Sequence, residues 1–521
     1  MDLSYHRESS EFPALAGLPE PWPFPDREAT PRAPCGADRH GKLLRQAWSE
    51  LAAMKLAEAV ATIATIEAEC GPLPMASAGL QCALLHAISV ALNDDARTAA
   101  RLVENALKTH QGRVVHPAAA FLLRLGHWKA RRLDAFCQLS ASVSHAPARR
   151  RDALWSILHL SMEASVEAEQ LRLASAGRLA GEALELARRF YGPDFAGGRL
   201  AASLSAQALY EQDQIDAADR LVRDRLVLSA SQGGIEGALG AYVVGSRIAT
   251  ARGQLPFAIL LLREAELLGE DRGWPRLVAA SLAERVRLFV EEGRMSEAEA
   301  CARRLAQMPV KSAVEANDYL LARHAAVARA RVELAQGTSA QSLPSLRRFV
   351  SESLQRRECH VAVEVLMLLA CALRAAGQDD EAAAQALRGI ELGGTAGLYR
   401  TFLDGGEAIR HLLRWLYERR VDGVALLGAL RPYVRNLLAG FSERPQQSAA
   451  ARTRHRSGES LSPRERHIVT LMSHGLSNKR IARQLGIAPE TVKSHAKHIL
   501  LKLAAQTRVE AVSRAMSMGM I

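Results

Sequence analysis

The chain has 521 residues, of which 48% are hydrophobic and 24% charged, enough to bury a sizeable core. Aromatics are only 5%, and Ala and Leu dominate over β-branched residues, which favours helices and argues against a β-sandwich or propeller. The net charge of +11 is unevenly placed: residues 452–521 carry thirteen Lys/Arg against four Asp/Glu, and the other 451 residues carry 54 against 52. A neutral body with a small basic end is the asymmetry of a nucleic-acid-binding module joined to something else.

Residues 1–40 hold seven prolines, among them Pro19, Pro21, Pro23 and Pro25. Proline fixes φ and lacks an N–H, so this stretch reads as a disordered, Pro-rich leader. No basic segment followed by an apolar stretch opens the chain, so no secretory signal is expected. At its end, Gly36 to Lys42 fits the first seven positions of a phosphate-binding GxxxxGK[ST] loop, but Leu43 replaces the metal-binding hydroxyl. Pro31 and Pro34 preclude the strand that should precede such a loop. The match is read as chance, and no cofactor is expected.

From 41 to 440 the sequence reads as helix after helix, with a recurring phrase. Asp213-Gln214-Ile215-Asp216-Ala217-Ala218 is echoed from Gly253, Gly293 and Gly377, with Gly337 between the last two. Each phrase ends one helix with a left-handed stop and opens another with Ala five positions on, small enough for close helix packing. A period of about 40 residues marks an α-solenoid, with weaker copies expected near Asp94 and Gly177. The longest nearly apolar run, Val361–Leu373, is thirteen residues and contains Glu364, too short to span a bilayer. Seven scattered cysteines without a CxxC pair fit a reduced compartment. A cytoplasmic protein with no membrane partner is expected.

Residues 441–458 lack apolar pattern and read as a flexible linker. Residues 459–521 then decode into four short helices. Ser462-Pro463-Arg464-Glu465 and Thr507-Arg508-Val509-Glu510 are capping boxes, and Gly475 and Gly486 are stops. In the third helix Val492, Ala496, Ile499 and Leu503 form one buried stripe, while Lys493, Ser494 and Lys497 lie opposite. Two short helices joined by a tight turn, the second presenting cations and hydroxyls, make a helix-turn-helix able to enter a major groove. His495 lies beside the stripe, where packing and base contact are equally open to it. No HExxH, GxSxG or metal-ligand spacing occurs, so the protein is not expected to be an enzyme.

The segment Leu461-Ser462-Pro463-Arg464-Glu465-Arg466, then Gly475 to Ala482, then Glu490-Thr491-Val492-Lys493-Ser494-His495, resembles the LuxR-type DNA-binding domain over about sixty residues. Ala488 departs from it, where a capping Ser or Thr is common. The resemblance implies base contacts by Lys493, Ser494, His495 and Lys497, and phosphate contacts by Ser477, Asn478, Lys479, Thr491 and Arg508. It implies double-stranded DNA as partner, dimerisation through the last helix and a contact with RNA polymerase. Upstream, Gly389-Ile390-Glu391-Leu392 and Gly397 to Asp404 resemble the end of the sensor repeats in MalT-like regulators, without their ATPase domain. The repeats also resemble tetratricopeptide units, although the period exceeds 34 residues.

The expected fold is all-α: a TPR-like α-solenoid over 41–440, then a four-helix LuxR-type domain. The expected function is a sequence-specific transcription regulator, an activator by resemblance. It would act in the cytoplasm on the nucleoid as a homodimer on DNA. A small-molecule or protein effector would bind the solenoid. The alternative is a solenoid scaffold whose basic end binds nucleic acid non-specifically.

Overall fold

The computed structural model describes residues 35–52, 56–70, 76–92, 94–109, 117–140, 150–192, 195–226, 234–309, 316–421, 424–443, 461, 463–485, 489–503, 505, 507–517 and 520. Antiparallel helix pairs follow one another along the chain. They are α1 (Cys35–Ala52) with α2 (Leu56–Cys70), α3 (Ala76–Leu92) with α4 (Ala96–Thr109), and α5 (Pro117–Lys129) with α6 (Leu133–Ser140). Next come α7 (Arg150–Glu169) with α8 (Leu173–Tyr191), α9 (Arg199–Glu211) with α10 (Ile215–Leu226), and α11 (Ile235–Ala251) with α12 (Leu255–Arg272). Then follow α13 (Pro275–Glu291) with α14 (Met295–Ala306), α15 (Ala316–Ala335) with α16 (Leu343–Gln355), and α17 (Cys359–Ala375) with α18 (Asp379–Ala396). Helices α19 (Arg400–Leu403), α20 (Gly406–Glu418) and α21 (Arg431–Glu443) end the array. A two-residue antiparallel hairpin, β1 (Arg420–Val421) with β2 (Val424–Ala425), lies between the last two. The C-terminal module is α22 (Pro463–Ser473), α23 (Asn478–Leu485), α24 (Pro489–Lys502) and α25 (Arg508–Ser517).

The repeat follows from the turns. The backbone takes positive φ at Asp94, Arg131, Leu171, Asp213, Gly253, Gly293, Gly337 and Gly377, one turn per helix pair. Five residues after six of them stands a fully packed alanine: Ala99, Ala176, Ala218, Ala258, Ala298 and Ala382 are each at most 1% exposed. A methyl there lets the second helix of each pair lie directly on the first. The expected solenoid is present, with one correction. The early copy lies at Leu171, and Gly177 is inside α8.

The four turns that are not glycine share a reason. Asp94 accepts hydrogen bonds from Arg276 at the start of α13, and Arg131 pairs with Glu358 before α17 at 2.6 Å. Asp213 accepts from Arg400 Nε at 2.7 Å, and Leu171 packs in the cluster of α17 with Met367 and Cys371. Each side chain reaches across to a helix more than 180 residues on, so the superhelix closes on itself. The glycine turns at 253, 293, 337 and 377 face nothing within 4 Å. There the cheapest left-handed residue suffices.

Two boundaries move. α1 begins at Cys35, inside the segment assigned to the leader, because Leu44, Ala47, Trp48 and Leu51 form a buried stripe that the helix continues from behind. α21 runs to Glu443, into the assigned linker, because Phe441 is buried against the last solenoid core. The rest of both segments, residues 1–34 and 444–460, lies outside the described residues. The Gly36–Leu43 segment is the first part of α1, and so it is helix and not the loop that such a motif requires. Val361–Leu373 is the interior of α17, buried in the array. No helix among the described residues is long and apolar enough to cross a membrane.

Candidate nucleic-acid interface

The C-terminal module is built as its caps dictate. The Glu510 N–H donates to Thr507 Oγ1 at 3.0 Å, and the Arg480 N–H to Ser477 Oγ at 3.4 Å. Gly475, at φ +77°, ends α22. Of the expected stripe on α24, Val492 and Ile499 are fully buried and Leu503 is 2% exposed, while Ala496 is partly buried against the same cluster. They close over Ile468, Val469 and Met472 of α22 and Ile481 of α23. Lys502 Nζ pairs with the buried Glu465 at 2.8 Å, tying α24 back to α22.

This core leaves one side of the module for polar groups. Lys493 on α24 is exposed, and His495, on the same helix, is half-buried. Ser477 and Lys479, at the start of α23, are exposed. Ser494, Lys497 and Thr491 lie on α24, but their side chains are outside the described residues. Asn478 and Arg508 are joined: Arg508 Nη1 donates to Asn478 Oδ1 at 2.9 Å, and its Nη2 donates to the Leu476 carbonyl.

The module does not hang free. Its core is continuous with that of α11–α13, where Tyr242, Leu260, Leu261, Leu268 and Trp274 belong to the same apolar cluster as Ile481 and Val512. Helix α25 packs against α12 as well as against α22 and α24. A Cβ on Gly475 would lie 2.5 Å from Leu267 Cδ1, so the end of α22 is seated directly on α12. At this boundary burial pushes the Glu264 carboxyl up, opposed by the Tyr242 hydroxyl, which donates to Glu264 Oε1 at 3.3 Å, and by Arg508. Burial likewise lowers the Arg508 guanidinium to about 10, with Glu264 opposing.

The seat was not anticipated from the sequence, though a signal was there. Helix α12 contains Ile259-Leu260-Leu261-Leu262 and is apolar on two sides. Ala258, Ile259 and Leu262 face the solenoid core, whereas Leu260, Leu261, Ala265 and Leu268 join the module's cluster. A helix apolar all round must be covered on both sides. Glu264 lies seven residues beyond Phe257 and four before Leu268, inside that second apolar face.

A helix-turn-helix with cations on its open side, carried on a helical-repeat array, defines a DNA-binding regulator. Residues 81–419 match the family model of the MalT-like TPR region, and residues 459–515 match that of the bacterial regulatory proteins of the luxR family. The chain belongs to the MalT-like TPR family and ends in a LuxR-type DNA-binding domain, which makes it a DNA-binding transcription regulator. It is 39% identical over 100 residues to the nitrate/nitrite response regulator protein NarL of Escherichia coli (strain K12), covering 19% of this chain and 42% of that protein. It is 40% identical over 83 residues to the transcriptional regulatory protein FixJ of Bradyrhizobium diazoefficiens, covering 16% of this chain and 38% of that one. The chain thus spans less than half the length of these curated relatives. Among solved structures, a Rap protein complexed with competence and sporulation factor superposes with a TM-score of 0.51 at 14% identity. The superposition covers 69% of this chain and 99% of that chain, and it shows a shared helical-repeat fold.

Proposed function

We propose that the protein is a sequence-specific transcription regulator, acting as an activator, whose DNA-binding module is controlled by the solenoid. The observation that carries the control reading is the seat of α25 and Gly475 on α12. Two features at that seat support it. Arg508, expected at a phosphate, lies beside Glu264 of α12 while it bonds Asn478 within the module. The helix expected to dimerise, α25, is already covered by α12. A docked chain is therefore poorly placed to occupy two half-sites, and a signal that releases α25 shifts the population towards a DNA-bound homodimer.

In this reading Lys493, Ser494, His495 and Lys497 contact bases, while Ser477, Asn478, Lys479, Thr491 and Arg508 contact phosphates. The regulator works in the cytoplasm on the nucleoid, meets RNA polymerase there, and takes a small molecule or a protein on its solenoid as effector. It carries out no catalysis of its own.

The test is genome-wide footprinting with the full chain beside its Glu264→Lys variant, which places a cation against Arg508 and unseats the module. A preference for specific sites of about 10³ or more over competitor DNA, increased in the variant, is expected. Binding without site preference would leave a scaffold with a non-specific basic end. Equal site affinity in both chains would remove the solenoid from control.

A further inference from the structure

Between α3, α5, α7, the start of α9 and α11 lies a cavity of about 190 Å³. Its wall is almost wholly apolar, and its side chains are unusual for a packed core. Ile88, Leu92, Phe121, Leu125 and Leu158 line it, and each is only partly buried although it belongs to an apolar cluster. Their uncovered faces meet in the cavity, beside the rings of Trp128 and Trp155. The space opens to solvent, so these apolar faces are left to water unless an apolar group covers them.

Of the four charged side chains that line it, three are matched across the rim: Lys129 Nζ pairs with Glu236 Oε1 at 2.6 Å, and Arg276 bonds both Glu236 and Asp94. The fourth is the buried Arg199. A charged ligand would break these pairs in a desolvated place, whereas a neutral one leaves them intact. The volume is too small for a helix or peptide, while a dry cavity of about 150 Å³ is known to hold benzene.

We propose that this cavity binds a small neutral apolar molecule, a single aromatic ring or an aliphatic group of that size. Its position gives such a ligand a use. Ile235 and Ala238 of α11 form one wall, and Tyr242, one turn further along α11, donates to Glu264 at the module's seat. A ligand that shifts α11 therefore acts on the seat. That consequence rests on the control proposed above; the binding itself does not.

The experiment titrates the full chain with toluene, following tryptophan fluorescence, since Trp128 and Trp155 face the cavity, and thermal stability. Saturable binding that raises Tm is expected, weakened at least tenfold in Ala91→Phe and in Leu125→Phe, which fill the space. Trp155→Phe should reduce the fluorescence change while keeping the Tm shift, so the site is tested even if a filled variant fails to fold. Absence of saturable binding, or equal binding in a folded filled variant, overturns the proposal. Binding only after removal of residues 1–34 also overturns it, making the leader the occupant. Site-specific DNA affinity is measured in parallel for the full chain and Glu264→Lys. Equal affinities defeat the control reading whether or not toluene binds, and absent toluene binding defeats the cavity while leaving control intact.

Discussion

The carboxylate of Asp94 accepts hydrogen bonds from Arg276 Nε at 2.8 and 3.0 Å across 182 residues of sequence. Both side chains are buried, at 8% and 6% exposure, and Arg276 also bonds Glu236. Two residues earlier in each partner segment, Trp274 Nε1 donates to the Leu92 carbonyl at 3.1 Å. These contacts fasten the first turn of the superhelix to the helix that follows α12, and so fix the platform on which the DNA-binding module sits.

Removing one partner should be costly. In Asp94→Ala the buried guanidinium keeps Glu236 but loses its other partner, so a loss of about 2–3 kcal/mol is expected, below the 3–5 of a fully orphaned charge. Alanine must also take the left-handed φ of +68° there. Urea unfolding of Asp94→Gly, which relieves the strain, separates the two effects; equal stability of Asp94→Gly and wild type would show that the pair contributes nothing.

Glu264 offers a substitution with a definite sign. Burial is the largest influence on its carboxyl and outweighs Arg508. The docked pKa lies above the undocked one, so docking is strongest below the ordinary value of 4.5 and weakens as pH rises through the shifted value. Glu264→Gln imitates the protonated form. It should hold the module more firmly at neutral pH and lower the full chain's DNA affinity by roughly fivefold, about 1 kcal/mol. A higher affinity in this variant would mean that attraction to Arg508 dominates instead.

The solenoid has the opposite pH response. Burial raises Glu236 and Glu284, but Arg276 with Lys129, and Arg247 with Arg287, outweigh it and hold both carboxyls well below 4.5. Their stabilisation is complete above 4.5 and is lost as pH falls below it. Thermal melts from pH 6 to pH 3 should therefore fall, and Glu236→Gln should fall less steeply. An unchanged slope in that variant would contradict the assignment.

The DNA face is tested by how affinity is lost. Lys493→Ala and Lys497→Ala should each cost about 1–3 kcal/mol of specific affinity and relax one position of a half-site. Lys479→Ala should weaken all sequences alike and reduce the salt slope by about one. Equal losses on specific and non-specific DNA for the first two would mean that α24 presents another face to the groove.

Within the module, Thr507→Ala removes the oxygen that accepts the Glu510 N–H, and about 1 kcal/mol of stability should go with it. A melting temperature equal to wild type would show that water satisfies that N–H as well as the hydroxyl does.

What the sequence alone determined was local. The glycine stops, the alanine five residues later, the cap at Thr507 and the Val492–Leu503 stripe act over one helical turn to a few, so their spacing reveals pairs, module and family resemblance. Turns at Arg131 and Leu171 stayed hidden because neither residue favours the left-handed region; partners Glu358 and the α17 core hold them there. The seat of the module on α12, the match of Asp94 to Arg276 and the cavity beside Trp128 were decided only by tertiary structure. Each depends on where a superhelix of many pairs has turned after more than a hundred residues. Small rotations per repeat accumulate to set that position, and no single stretch of sequence contains their sum.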